Sequence, residues 1–221
     1  MLSELMQLIF PSQCLGCSTI LDSSKNLCVS CARQWAPQIL RKRIDGVEHS
    51  SLHTYNSLAS RVILLAKEEN NAIARRLLAS AIAELIGESA CWLIPVPSRA
   101  SAHRKRGFRH STLLAQEVVK ILGVESAQIK EALSFQKSVK DQAGLNRRER
   151  QSNLSGSMVV NRTLLAGLGI THADTVFNPR QVIIIDDVVT SGASAREAVR
   201  ALRAEGITVN RVISACATGP I

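Results

Sequence analysis

The stretch Val182–Ser194, VIIIDDVVTSGAS, constrains the fold more than any other part of the chain. Val182, Ile183, Ile184 and Ile185 form a β-branched run too apolar to face water on either side, as a strand inside a parallel sheet requires. Two adjacent carboxylates, Asp186 and Asp187, end the run, and the small-residue turn Thr190-Ser191-Gly192-Ala193-Ser194 follows. Ala195, Ala198, Val199 and Leu202 then recur at helical spacing. Such a passage from strand through acids and turn into a helix aims backbone N–H groups at whatever sits over the turn, and favours an anion there. Gly192 lets the backbone approach closely, while Thr190, Ser191 and Ser194 add hydroxyl donors. The carboxylates can accept hydrogen bonds from sugar hydroxyls or support a metal-bound diphosphate. The pattern suits a sugar phosphate at the carboxyl end of an α/β sheet; the plainer alternative is a buried strand whose acids cap the next helix. A Walker-B strand would need a G-x-x-x-x-G-K-[ST] loop, and none occurs in the 221 residues.

Cys14, Cys17, Cys28 and Cys31 form C-x2-C-x10-C-x2-C. Paired C-x-x-C knuckles bring four thiolates into tetrahedral reach, which suits structural Zn²⁺; two disulfides or four unrelated thiols are the alternatives. Gly16 sits inside the first knuckle, where a tight turn is needed. A segment this short has almost no core of its own, so metal would be a condition of its folding. Cys91 and Cys216 lie in apolar strand patterns and read as small buried hydrophobes.

The length accommodates one well-buried α/β domain plus a small appendage, divided here as a zinc-binding unit over residues 1–44 and a main domain over 45–221. Only seven of the residues are aromatic, so the core is expected to be aliphatic. No apolar run reaches membrane-spanning length, and MLSELMQLIF lacks the basic start of a signal peptide, so a cytoplasmic location is expected.

The formal charge of +9 is concentrated: Arg99–Arg109 holds five Lys or Arg and no acid, and Lys137–Arg150 holds five against Asp141 and Glu149. Two basic segments point to an anionic partner, either a diphosphate or a nucleic acid. Arg41-Lys42-Arg43 and Asp45-Gly46 read as a linker. Leu58–Ile86 reads as two helices broken at Glu68-Glu69-Asn70-Asn71, Cys91–Val96 as a strand, and Arg99–Arg109 as a loop. Ser111–Leu122 is helical; Phe135–Gly156 is polar and basic and reads as a long loop, and Gly167–Pro179 as a link to the signature strand. Gly206 suits a helix C-terminus and Thr208–Ala217 a last strand. Strands alternating with helices imply a doubly wound, mainly parallel sheet.

With its hydrophobic strand, paired acids and T-[ST]-G turn, the chain resembles the type I phosphoribosyltransferases. That resemblance implies that Asp186 and Asp187 contact the ribose hydroxyls of 5-phosphoribosyl-1-diphosphate (PRPP), that Thr190, Ser191, Gly192, Ala193 and Ser194 hold its 5′-phosphate, and that Mg²⁺ accompanies it. The loop after the Pro95-Val96-Pro97 strand end then inherits the diphosphate, through Ser98, Arg99, Arg104 and Arg106. Together with the four cysteines, P-V-P, Arg106-Gly107-Phe108 and the spacing Gln142, Leu145, Arg150, Asn153, the chain resembles the ComF family from Phe10 to about Ala217, with Lys67 at that family's helix-end lysine. Arg109-His110 replaces the family's Asn-Gln, and Glu68 and Asn70 stand where it has an aromatic and a glycine. This resemblance implies a PRPP-binding, zinc-finger protein associated with DNA uptake in natural transformation, meeting single-stranded DNA and the uptake machinery through Arg104, Lys105, Arg106, Arg109, Arg147, Arg148 and Arg150. An active phosphoribosyltransferase using Asp186 and Asp187, or a PRPP-sensing regulator without turnover, are the other functions it allows.

Overall fold

The computed structural model describes residues 12–21, 25–136, 156–166 and 180–219. Arg147, Arg148 and Arg150, the Gln142–Asn153 spacing element and the Gly167–Pro179 link lie outside the described residues. In chain order the elements are α1 (Val29–Gln34), β1 (Leu40–Ile44), β2 (Val47–Thr54), α2 (Ser57–Glu68), α3 (Ala72–Ile86), β3 (Cys91–Pro95), α4 (Ala100–Arg106) and α5 (His110–Leu122). They continue with β4 (Ala127–Ile129), β5 (Leu133–Phe135), β6 (Met158–Val160), α6 (Arg162–Ala166), β7 (Gln181–Val189), α7 (Ala193–Ala204) and β8 (Arg211–Ala217).

Six strands form one sheet in the order β1-β2-β8-β7-β3-β4. Every pairing is parallel except β1 with β2, so the chain is a mixed α/β fold with a mostly parallel sheet, as its pattern of elements predicted. The aliphatic run of β7 lies at the middle: Val182, Ile183, Ile184 and Ile185 are at most 1% exposed. Burying each such side chain is worth about 2 kcal/mol. Because side chains alternate, Ile183 and Ile185 join α2, α3 and α5 in the core on one face, while Val182 and Ile184 join α7 on the other. A separate antiparallel pair, β5 with β6, lies on the α7 side, where Glu197 accepts from Met158 N at 2.9 Å. Helix α7 ends as its sequence suggests: Gly206 takes φ +76°, Gly206 N donates to Arg203 O and Ile207 N to Leu202 O, the paired bonds of a Schellman stop.

Two expectations are corrected. Arg41-Lys42-Arg43 is no linker but the middle of edge strand β1, registered Leu40↔Ser51 to Ile44↔Val47. Asp45 and Gly46, both at positive φ, form the two-residue hairpin turn that such a register needs. The segment after β3, expected as a loop, contains the helical turns of α4, because Ala100–Arg106 lacks any breaker before Gly107 at φ +76°.

The N-terminal cysteine unit is continuous with the main core: Cys14, Leu15, Leu27, Cys31 and Trp35 cluster with Leu58 and Val62 of α2. Trp35 also lies over His53 of β2, ring centroids 4.1 Å apart. On the same strand the buried His49 meets Ser214 Oγ of β8 at 2.9 Å. Burial pushes both imidazoles down, from 6.5 to about 4. The unfolded chain therefore binds more protons than the folded one between those values, and stability falls as pH drops through that window. Urea midpoints recorded from pH 7 to pH 4 should decline with pH, and His49→Gln should show the shallower decline; equal slopes would mean that His49 is not buried neutral.

Candidate functional site

Strand β7 does not stop at its acids but carries them to Val189, at the sheet's carboxyl edge. Asp186 and Asp187 stay close together, Asp186 Oδ1 accepting from Asp187 N at 3.0 Å, and both line the same opening. Asp187 turns toward the α2 and α5 side and is 2% exposed; Asp186 is half-buried. Lys67 Nζ, from the end of α2, donates to Asp187 Oδ2 at 3.2 Å. His110 Nε2, from the first residue of α5, lies 3.2 Å from the same oxygen, at ion-pair distance but without regular hydrogen-bond alignment. Asp187 Oδ1 accepts from Val188 N at 2.8 Å.

The two carboxyls divide their roles. Burial opposes charge on Asp187, but Lys67 and His110 outweigh it and hold its carboxyl far below the usual carboxylate range. For Asp186, burial and then the neighbouring Asp187 charge push the carboxyl well above that range. The Asp187 charge in turn raises Lys67. One negative charge is thus locked into the floor, and Asp186 is left as the adaptable carboxyl facing the opening.

That opening is a cleft of about 480 Å³. Asp186, Asp187 and Val188 of β7, His110 of α5 and Ser194 of α7 line it together with Ser98, Arg99, Lys105 and Arg106. Arg106 also pairs with Glu68, the residue after Lys67, so the end of α2 reaches both the acids and the basic wall. Two full-length helices open onto this cleft, α5 from His110 and α7 from Gly192, and neither receives a side-chain bond from its N-cap. By contrast, α2 and α3 are capped by Asn56 and Asn71, each accepting from a backbone N–H three residues on. Helix starts without an N-cap side-chain bond leave most of their first N–H groups for whatever occupies the cleft.

Of the signature turn, Ser194 lines the cleft; Gly192 sits at φ +74°, where a Cβ would come within 3.4 Å of Ile44 Cδ1, and Thr190 is exposed. Ser191 Oγ accepts from Ala193 N at 3.4 Å. Of the diphosphate candidates singled out in the sequence, Ser98, Arg99 and Arg106 meet in the cleft, and Lys105 joins them. Arg104 is exposed and does not line it. Arg109 is exposed and pairs with Glu131 at 3.1 Å. The sequence reading missed His110 as a partner of the acids. Its signal was available: the apolar stripe Leu114, Val118 extends one turn back to residue 110, on the buried face.

The four cysteines form a separate cluster whose ligand atoms all lie within 4.8 Å of one another, an arrangement compatible with zinc binding. Gly16 N and Cys28 N donate to Cys14 Sγ at 3.4 and 3.3 Å, and Cys31 N to Cys28 Sγ at 3.5 Å. Burial works against ionising Cys14, yet the backbone donors of Cys28, Cys17 and Gly16 prevail and bring its thiol down to about 6. A Cβ at Gly16 would meet Leu58 Cδ1 at 2.5 Å and Cys31 Sγ at 2.6 Å, so only glycine fits inside the knuckle. Cys91 and Cys216 are fully buried and far up their titration scales through burial, the inert hydrophobes expected of them. No helix among the described residues is long and apolar enough to cross a membrane.

Replacing Lys67 by Met removes the aligned donor to a buried carboxylate while leaving His110 in place. The expected cost is about 2 kcal/mol, below the full penalty of an unpaired buried charge, and chemical denaturation at pH 7 measures it; an unchanged midpoint would show that His110 suffices. A scan against protein-family models and a search of curated proteins found no match to this chain.

Proposed function

We propose that the chain is a ComF-type, phosphoribosyltransferase-like protein whose cleft binds PRPP with Mg²⁺. The observation that carries this reading is the confrontation of β7's carboxyl edge with the basic residues Arg99, Lys105 and Arg106 across one cleft. PRPP has both complements: ribose hydroxyls for a carboxylate and a diphosphate for guanidinium groups. In this reading Asp186 accepts from the ribose hydroxyls, and Asp187 holds the floor through Lys67 and His110. Ser194 and the start of α7 receive the 5′-phosphate. Ser98, Arg99, Lys105 and Arg106 receive the diphosphate, whose charge Mg²⁺ helps neutralise, with Asp186 as the carboxyl available to it. Release of Arg106 from Glu68 frees its guanidinium for that task.

The same residues suit transfer of the phosphoribosyl group to a nitrogen nucleophile. Cleavage at the ribose C1 builds positive charge on the sugar and negative charge on the leaving diphosphate, and fixed guanidinium groups stabilise the latter. Turnover makes the protein a transferase; binding alone makes it a PRPP sensor. The cysteine cluster, with four sulfur donors and backbone N–H groups turned to them, would hold a structural Zn²⁺ through Cys14, Cys17, Cys28 and Cys31. A role beside single-stranded DNA in uptake is supported by a second feature, the exposed His103, Arg104, Lys105 and Arg109 around the cleft mouth. Contacts of this kind are electrostatic and salt-sensitive.

Calorimetric titration with PRPP and Mg²⁺ tests the reading. Wild type should bind saturably and Asp186→Asn should lose at least about tenfold in affinity, the effect of one good charge-assisted bond. The variant's thermal midpoint should hold or rise, since a neutral amide relieves repulsion from Asp187; undiminished affinity would reject the site. Arg104→Ala should weaken single-stranded DNA binding at low salt and leave PRPP affinity alone, because Arg104 lies outside the cleft. DNA binding that does not respond would remove α4 from any nucleic-acid surface.

A further inference from the structure

The outer side of β1 presents backbone groups in a fixed order. Asp45 and Gly46, at φ +48° and +80°, make a two-residue turn, so the pair Ile44–Val47 that closes it is hydrogen-bonded. Bonded pairs then alternate along the ladder, Lys42 with His49 and Leu40 with Ser51. The N–H and C=O groups of Arg41 and Arg43 therefore point away from β2. Among the described residues no strand pairs with that side of β1.

The side chains decide what kind of strand suits this edge. Arg41 and Arg43 are exposed and share one face, whereas Lys42 turns to the other and donates to Thr190 O at 3.3 Å. Arg43 Nη1 donates to Gly46 O at 3.2 Å. Beside the turn, Arg196 Nε meets Asp45 Oδ1 at 3.1 Å and Arg203 Nη1 donates to Asp45 O at 2.8 Å. Arg41, Lys42, Arg43, Arg196 and Arg203 thus face only Asp45 and Glu48, the residue opposite Arg43, and the edge keeps a net positive charge. Ile39, just ahead of the strand, is 53% exposed and offers an apolar contact at the end away from the turn. A phosphodiester chain would answer the charge but has no N–H for the carbonyls of Arg41 and Arg43, and β1 has no aromatic on which bases could stack. An acidic peptide answers both the charge and the carbonyls.

We propose that β1 is a docking edge for an extended acidic segment of a partner protein, added as an antiparallel strand with carboxylates opposite Arg41 and Arg43. Antiparallel pairing exchanges both bonds at each of those residues. Main-chain bonds supply the affinity, and the facing charges select the partner. The β1 residues lie outside the lining of the cleft, so this docking stands apart from the phosphoribosyl reading.

The zinc-loaded full chain is titrated with acetyl-Thr-Glu-Thr-Glu-Thr-Val-Thr-amide, followed by calorimetry and by amide hydrogen exchange. In the free chain Lys42, bonded to β2, should exchange more slowly than Arg41 and Arg43. With the peptide at about ten times its Kd, exchange at Arg41 and Arg43 should slow about tenfold. A peptide with Lys in place of Glu should bind at least about tenfold more weakly, the effect of losing two exposed ion pairs. A peptide N-methylated at both glutamates keeps its charge but loses two donors, and should also bind at least about tenfold more weakly. Arg41→Gln with Arg43→Gln should cost about tenfold in affinity and leave the thermal midpoint within about 2 °C, as exposed substitutions do. Slow exchange at Arg41 and Arg43 in the free chain would mean that the edge is already covered and would overturn the proposal. No peptide binding, undiminished binding of the Lys or N-methylated peptide, or full affinity in the double variant would each overturn it too. An oligothymidylate of equal charge that binds this edge as tightly would reassign it to nucleic acid.

Discussion

A carboxylate buried at the end of a central strand is tolerated only with a partner, and the placement of Asp187 organises much of what surrounds it. Its oxygens are met by Lys67 from the end of α2 and His110 from the start of α5. Two helices that pack on one face of the sheet are thereby held in register with the third element, β7. Because the next residue, Glu68, holds Arg106, the same few atoms also draw α4 against the opening. The acidic floor and the basic wall of the cleft are thus connected through two consecutive residues of one helix.

The N-terminal cysteines act on the same helix from its other side. Gly16 packs so closely on Leu58 that no side chain fits between them, and Cys14, Cys31 and Trp35 share the core of α2 and α3. A metal at the four sulfurs would therefore stabilise more than its own knuckles. It would brace the start of the helix whose end carries Lys67 and Glu68.

Much of this was legible in the sequence because it rests on local pattern. The run Val182–Ile185 cannot be solvated, so its burial on both faces follows; the C-x2-C spacing brings sulfurs together regardless of context; Gly206 stops a helix by its own backbone freedom. What escaped was set by partners distant in sequence. Strand β1 is rich in Arg and Lys and has no strand signal of its own; it exists because β2 offers an edge and Asp45-Gly46 a turn. The division of labour between Asp186 and Asp187 depends on residues 120 and 77 positions away from Asp187, and adjacency in sequence gave no hint that one acid would be held by a lysine and a histidine from two different helices. Arg104 and Arg106 look alike on paper, yet a short helix turns one outward and the other into the cleft.

The strand that seemed a linker has a further effect, on how copies of the chain treat one another. Among the described residues the six-stranded sheet has two open sides, each a row of backbone donors and acceptors that can recruit a neighbour into a growing fibre. Here one side is β1, with Arg41 and Arg43 standing exposed and Lys42 turned to Thr190 O, and the other is β4, three residues long. Like charges repel a second β1, and a three-residue stub gives an incoming strand little to grip. The sheet is protected from edge-to-edge aggregation by charge at one margin and by brevity at the other.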